Sequence, residues 1–311
     1  MTELKLWQVK SRKEAKNKWH TWRARKDNYG EMQQFDGSYH VWFGDEEYCL
    51  LLSVDDATGK ITHAKFDINK DRIAVFKFWL EYLMKNGLPL SIYLDKFSTY
   101  KVNHKNAVDN KGMITQFQRA MNQLGINVIL ANSPQAKGRV ERINKTLQKR
   151  LVKELRLAEI NTVEEANKFL ETYIPKFNAQ FAVVPNKRKN LHKTLVSNVA
   201  NKLPQILSIQ EIRIINNDYT VRFAGKYYQL DRIQTTTVYK KDKVIVEKHL
   251  NGEVKLRLRE AYLNYKLLPE RPKKEIEVKL IALTKQIQGS YKPPIDHPWR
   301  KQFMFEKKSV K

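Results

Sequence analysis

From Gln33 the chain turns to an extended pattern of hydrophobic and polar positions in three short runs, Gln33 to Phe43, Tyr48 to Val54 and Ile61 to Ile68. The turns Gly44-Asp45-Glu46-Glu47 and Asp56-Ala57-Thr58-Gly59-Lys60 separate them. Short extended runs joined by short turns predict three consecutive antiparallel strands. The period then changes. Ala74, Phe78, Tyr82 and Leu83 recur at helical spacing until Asn86-Gly87 and Pro89 stop them, and a short strand, Leu90 to Leu94, ends in Asp95. A helix through Ile114, Phe117, Met121 and Leu124 closes at Gly125, and Ile126 to Leu130 is again extended. Val140, Ile143, Leu147, Leu151 and Leu155 form a helical stripe, and Thr162 to Gln180 is a further helix, with Thr162 and Glu165 spaced as a capping box. A strand meander followed by alternating helices and strands predicts an α/β fold, a mixed sheet with helices on both faces.

Beyond a Pro-, Asn- and Lys-rich stretch at 184–193, the helical period disappears. Glu211 to Ile215, Tyr219 to Phe223, Lys226 to Leu230, Thr235 to Tyr239, Val244 to His249 and Val254 to Leu258 are short β-rich runs with turn residues between them, which predicts a small all-β barrel. The expected organisation is a basic arm (1–30), a core (31–183), a linker with a helical region (184–204), the β-barrel (205–268) and a basic tail (269–311).

Charge adds a partner to this outline. The chain carries 58 Lys+Arg against 33 Asp+Glu, a formal charge of +25, and such an excess in a folded protein points first to nucleic acid, against the plainer reading of an inert basic surface. Cys49 is the single cysteine and sits in the apolar run Tyr48 to Leu52, so an internal disulfide is impossible and a buried structural thiol is expected. No run approaches the roughly 18 apolar residues of a membrane span, and residues 1–30 lack the apolar centre of a signal peptide. A cytoplasmic, nucleoid-associated protein without a membrane partner is expected.

Three carboxylates carry the candidate chemistry. Asp36 lies inside a strand beside Phe35, where a carboxylate is costly to bury without a cation. Asp95 ends Ile92-Tyr93-Leu94 at the carboxyl edge of a strand, a usual ligand position in open α/β sheets. Glu141 flanks the apolar stripe of its helix and can reach that edge, with Lys145 and Gln148 stacked above it and Lys137 in the loop before it. Oxygen-only donors suit Mg²⁺ or Mn²⁺, and two such ions support in-line phosphoryl transfer. Taken singly, each acid reads as a turn or cap residue. Asp45, Asp55, Asp56 and Asp109 are rival acids expected in turns, with Asp55 the one placed to neighbour the site.

The three local contexts together resemble a known family. Gln34-Phe35-Asp36-Gly37-Ser38, Tyr93-Leu94-Asp95-Lys96 and Asn132-Ser133-Pro134-Gln135-Ala136-Lys137-Gly138-Arg139-Val140-Glu141-Arg142-Ile143-Asn144 look like the signature blocks of retroviral-integrase-type insertion-sequence transposases. The resemblance implies a ribonuclease-H-like core in which Asp36, Asp95 and Glu141 bind the metals. It also implies metal-dependent end cleavage with 3′-hydroxyl strand transfer, on transposon ends and target DNA, by a homo-oligomer. Lys145, Asn144 and Gln148 match positions that touch the DNA end in that family, and Lys137, Arg139 and Lys149 complete the expected DNA contacts. The alternatives are a non-catalytic DNA-binding remnant and a nuclease of the same fold without strand transfer.

Three departures stand beside the resemblance. The 45 residues between Asp95 and Glu141 are more than the family commonly has. One cysteine excludes a His-His-Cys-Cys zinc module. The residues ahead of Asp36 are too few for a helix-turn-helix, which predicts an N-terminally shortened chain or the product of a split reading frame.

Overall fold

Tyr48 to Val54 is apolar on both alternations and so offers water neither face, the signature of a strand covered on both sides. In the computed structural model it is the middle of the antiparallel part of a five-stranded sheet. The structure describes residues 24–95, 110–131, 138–269, 294, 296 and 297, with the backbone alone at 95, 110–115 and 131. In chain order the first elements are β1 (Asn28–Tyr29), β2 (Met32–His40), β3 (Tyr48–Asp55), β4 (Ile61–Asp67), α1 (Arg72–Asn86), β5 (Ser91–Asp95), α2 (Asn110–Gln123), β6 (Asn127–Ala131), α3 (Gly138–Leu157) and α4 (Val163–Phe181). The sheet order is β4-β3-β2-β5-β6; β2, β3 and β4 form the expected antiparallel meander, and β5 and β6 run parallel to β2. The expected mixed sheet is therefore present.

Alternation along β2 and β3 sends side chains into two separate cores. Phe35, Cys49 and Leu51 join Phe78, Trp79 and Leu83 of α1 and Phe117 and Met121 of α2 on one face. Leu50, Leu52 and Val54 join Val140, Leu147, Leu151 and Leu155 of α3 and Leu170 and Phe177 of α4 on the other. Helices cover both faces. Asp71 starts α1 by accepting the Ala74 N–H at 2.7 Å, and Gly87, at φ 83°, ends it. Thr162 and Glu165 form the predicted capping box of α4.

The outer edge of β4 is met by side chains of α4. The Asn178 amide donates to Ile61 O and accepts from Ile61 N–H, both at 2.8 Å. Asn167 does the same to Phe66, at 3.1 and 2.7 Å. Eleven residues of helix and five of strand each rise about 16 Å, which brings the two pairs into step. Outward groups on a regular strand share one parity, and the register shift opposite Ser53 and Val54 supplies the odd spacing.

Residues 184–204, expected as a linker, return to the core. β7 (Lys187–Asn190) pairs in parallel with β1, Leu88 and Lys193 exchange both backbone hydrogen bonds, and the His192 ring lies 2.7 Å from the Tyr82 hydroxyl. α5 (Ser197–Ile206) follows, with Leu203 and Leu207 buried in the α1 core.

The β-rich part departs from the expected closed barrel. Its strands are β8 (Ile209–Ile214), β9 (Thr220–Phe223), β10 (Lys226–Leu230), β11 (Lys243–Lys248), β12 (Val254–Leu258), β13 (Ala261–Leu263) and β14 (Tyr265–Leu268). They form two sheets, β14-β10-β9 and β13-β12-β11-β8, around one shared core. The predicted strand Thr235 to Tyr239 does not form. Side chains hold this stretch in place of a ladder: Gln234 donates to Asp231 O and Asn264 O and accepts from the Asn264 N–H, and Thr235 donates to Tyr262 O.

The chain divides at Leu268 into a second unit, and there the His297 N–H donates to Pro294 O at 3.0 Å. Most of the basic tail, and residues 1–23 of the arm, lie outside the described residues. No helix among the described residues is long and apolar enough to cross a membrane.

Candidate active site

Asp36 and Asp95 come level through strand register. β2 and β5 are adjacent and parallel, and Phe35 is registered with Leu94, so the residues that follow them emerge side by side. Alternation puts Asp36 on the same face as Gln34 and Ser38. That face is covered by α3: Gln34 Oε1 accepts the Val140 N–H at 3.2 Å, and Gln148 Nε2 donates to Ser38 Oγ at 2.9 Å. Eight helix residues and four strand residues both span about 12–13 Å, so α3 runs along β2 with Asn144 level with Asp36. Glu141, in the first turn of α3, is about 4–5 Å back along the axis from that level.

Two features of this region were not legible beforehand. Lys70, between β4 and α1, brings its ammonium to 3.7 Å from Asp36 Oδ1, with side chains only 6% and 14% exposed. Its stem passes Gly37, where a Cβ would come within 2.8 Å of Lys70 Cδ and 3.0 Å of Cys49 Sγ. Asp56 is the second, a rival acid expected in a solvated turn. It is fully buried and lies 2.5 Å from Arg139 Nη1, with Gln34 Nε2 and the Lys26 N–H also donating to it. Asp55 is equally buried and accepts from the Gly30 N–H, Gln33, and the Thr58 N–H and hydroxyl, so it ties β3 to the β1 turn.

Two curated proteins are similar to this chain. The chain is 39% identical over 239 residues to the putative transposase y4bF of Sinorhizobium fredii, an alignment covering 76% of this chain and 51% of that protein. It is 34% identical over 303 residues to the transposase for insertion sequence IS1202 of Streptococcus pneumoniae, covering 95% of this chain and 64% of that protein. The chain is a homologue of insertion-sequence transposases. It spans between half and two thirds of the length of these curated relatives. No family model matches it. Among solved structures, a chain of the simian T-cell lymphotropic virus intasome in complex with PP2A regulatory subunit B56 gamma aligns with 15% identity and a TM-score of 0.42, over 82% of this chain and 86% of that one.

In this transposase homologue the expected site residues divide into groups. Asp36 and Glu141 are half-buried on facing elements, and Asp95 has its backbone beside Asp36 and its side chain outside the described residues. Among the described residues no three His, Cys, Asp or Glu side chains converge on a metal-sized site. Lys145 and Lys149 are exposed on α3, in a stripe with Arg142, Lys153 and Arg156. Gln148 bonds Ser38, Arg139 is paired with Asp56, and Asn144 is buried with no hydrogen-bond partner for its Oδ1. Lys137 lies outside the described residues.

Proposed function

We propose that this chain catalyses metal-dependent cleavage at transposon ends and transfer of the freed 3′-hydroxyl into target DNA, with Asp36, Asp95 and Glu141 as metal ligands on a ribonuclease-H-like core. The observation that carries this reading is the register that brings Asp36 and Asp95 level on adjacent parallel strands, under a helix whose first turn bears Glu141. The residues fit a hard divalent cation. Their donors are oxygens, Lys70 already brings a positive charge to Asp36, and the buried Asn144 Oδ1 at the same level lacks a donor that an ion's hydration shell would supply. Bound there, Mg²⁺ or Mn²⁺, as one or two ions, would activate the attacking oxygen and stabilise the leaving one.

The protein's own groups supply positioning. Half-burial of Asp36 and Glu141 leaves their carboxylates less screened by water than on an open surface. The exposed stripe Arg142, Lys145, Lys149, Lys153 and Arg156, with Lys137 before it, offers cations at one-turn spacing along the helix that carries Glu141. Such a stripe grips phosphates and sets the DNA register without reading bases. The expected partner is DNA in the cytoplasm, bound by more than one copy of the chain.

Asp36→Asn, Asp95→Asn and Glu141→Gln test the reading in a strand-transfer assay with pre-cut ends and Mn²⁺. Each is expected to abolish joining, a loss of about 10³-fold or more, while DNA affinity stays within about twofold, because phosphate contacts come from Lys and Arg elsewhere. Joining at the wild-type rate by any of the three removes that residue from the triad. DNA binding without joining by the unaltered chain favours the non-catalytic reading, and cutting without joining favours a nuclease.

A further inference from the structure

The first turn of α3 is held by three residues that the proposed chemistry does not use. Gln34 and Asp56 are both inaccessible to solvent. Asp56 Oδ1 accepts from Gln34 Nε2 and from Arg139 Nη1, each at 2.5 Å, while Gln34 Oε1 accepts the Val140 N–H at 3.2 Å. Asp56 Oδ2 accepts the Lys26 N–H at 2.9 Å, which anchors the carboxylate from the other side. One buried carboxylate and one buried carboxamide thus bind the side chain of residue 139 and the backbone of residue 140. Glu141 is the next residue.

We propose that Asp56, Gln34 and Arg139 are positioning residues, a latch that fixes the first turn of α3 and so sets where the Glu141 carboxylate stands relative to the strand acids. The proposal rests on the reading of Glu141 as a metal ligand. Helix formation itself does not require the latch. Leu147, Leu151 and Leu155 hold the later turns of α3 in the core, and Gln148 ties its middle to Ser38. The first turn is different, because its N–H groups have no partners within the helix, and here the sheet provides one through Gln34. Ligand geometry tolerates little error, and a shift of about 1 Å at a reacting group can cost about a hundredfold in rate. A charge-assisted pair anchored on a fully buried carboxylate suits that demand better than a mobile surface contact. Arg139, expected from the sequence to touch DNA, has its guanidinium on Asp56.

The full chain is compared with its Arg139→Gln, Arg139→Lys and Asp56→Asn variants. Joining of pre-cut ends is followed against Mn²⁺ concentration, Mn²⁺ binding without DNA is read by electron paramagnetic resonance, and DNA affinity is measured against salt. Arg139→Gln and Asp56→Asn are expected to raise the half-saturating Mn²⁺ concentration about tenfold and to weaken Mn²⁺ binding in parallel. Arg139→Lys, which keeps the charge, is expected to recover part of the shift, and the salt slope of DNA binding should not change in any variant. A purely structural role would lower the melting temperature and the maximal rate without moving the metal midpoint, and that pattern overturns the latch. An unmoved midpoint together with a salt slope about 0.9 shallower would make Arg139 a phosphate contact and also overturn it. If Arg139→Gln and Asp56→Asn fail to melt cooperatively, Arg139→Lys decides: a wild-type midpoint rejects the proposal. Glu141→Gln separates the two readings. Its retention of joining removes Glu141 from the site, whereas its inactivity beside a wild-type Arg139→Gln removes the latch alone.

Discussion

Gly37 sits in the motif beside Asp36 for a steric reason that only the tertiary structure shows. The stem of Lys70 crosses the sheet at the one position of β2 that has no side chain, and its ammonium reaches Asp36 by that route. Gly37→Ala should therefore push Lys70 and the neighbouring Cys49 aside. Overpacking of this kind costs about 1–3 kcal/mol, read as a lower denaturation midpoint in urea with an unchanged slope; an unaltered midpoint would show that the lysine stem gives way freely. Cys49 itself was legible as a buried thiol, and burial pushes it up to about 12. The places of Asp36 inside β2 and of Asp95 at the end of β5 were also legible, since strand alternation and strand ends are local properties. Arg139 was not. Its partner Asp56 lies 83 residues away in sequence and read as one more turn acid.

Elements follow the same division between local and distant signals. The helices came from their apolar period and caps, and the meander from its short extended runs and turns, whereas the stretch from Thr235 to Tyr239 is held by Gln234 and Thr235 donating to Asn264 O and Tyr262 O, some thirty residues ahead. One contact between elements responds to pH. Glu81 of α1 meets His63 and Lys65 of β4. The His63 imidazole, opposed by partial burial and aided by Lys65, holds the Glu81 carboxyl at about 2, below its ordinary 4.5. A folded value below the unfolded one adds stability that is complete above pH 4.5 and lost as pH falls towards 2. Glu81→Gln should consequently be less stable than the parent at pH 7, by no more than about 1 kcal/mol for so exposed a pair. The difference should shrink between pH 4.5 and 2 in paired urea melts; a gap that stays constant to pH 2 would mean the pair contributes nothing through ionisation.

For the whole molecule, the returning linker changes how the chain can be divided. The sequence placed the end of the core at 183 and a linker over 184–204. Yet Leu203, Leu207 and Ile209 are buried in the same core as α1 and α2, and Arg119 of α2 donates to Ile206 O and Ser208 O. Stripping three such side chains from a core forfeits about 5–8 kcal/mol, comparable to the entire stability of a domain. A chain ending at Pro185 is expected to lose its cooperative thermal transition, and one ending beyond Leu268 to keep it. A sharp calorimetric transition in the shorter chain would show that α5 packs there without being needed. The net charge of +25 signalled polyanion binding from composition alone, but composition has no access to which lysines line a helix and which lie elsewhere.

The two asparagines of α4 at the rim of the sheet bear on how copies of the chain behave when crowded. A strand with bare amides and carbonyls along its rim is a template on which a neighbouring chain can add, and sheets that join in this way grow into fibres. Asn167 and Asn178 each present a carboxamide as a peptide unit would, and they occupy that rim at Phe66 and Ile61 from within the same molecule. At Ile61 and Phe66 the rim of β4 therefore has its amides and carbonyls already engaged, so a second copy brought close has less bare strand there on which to add.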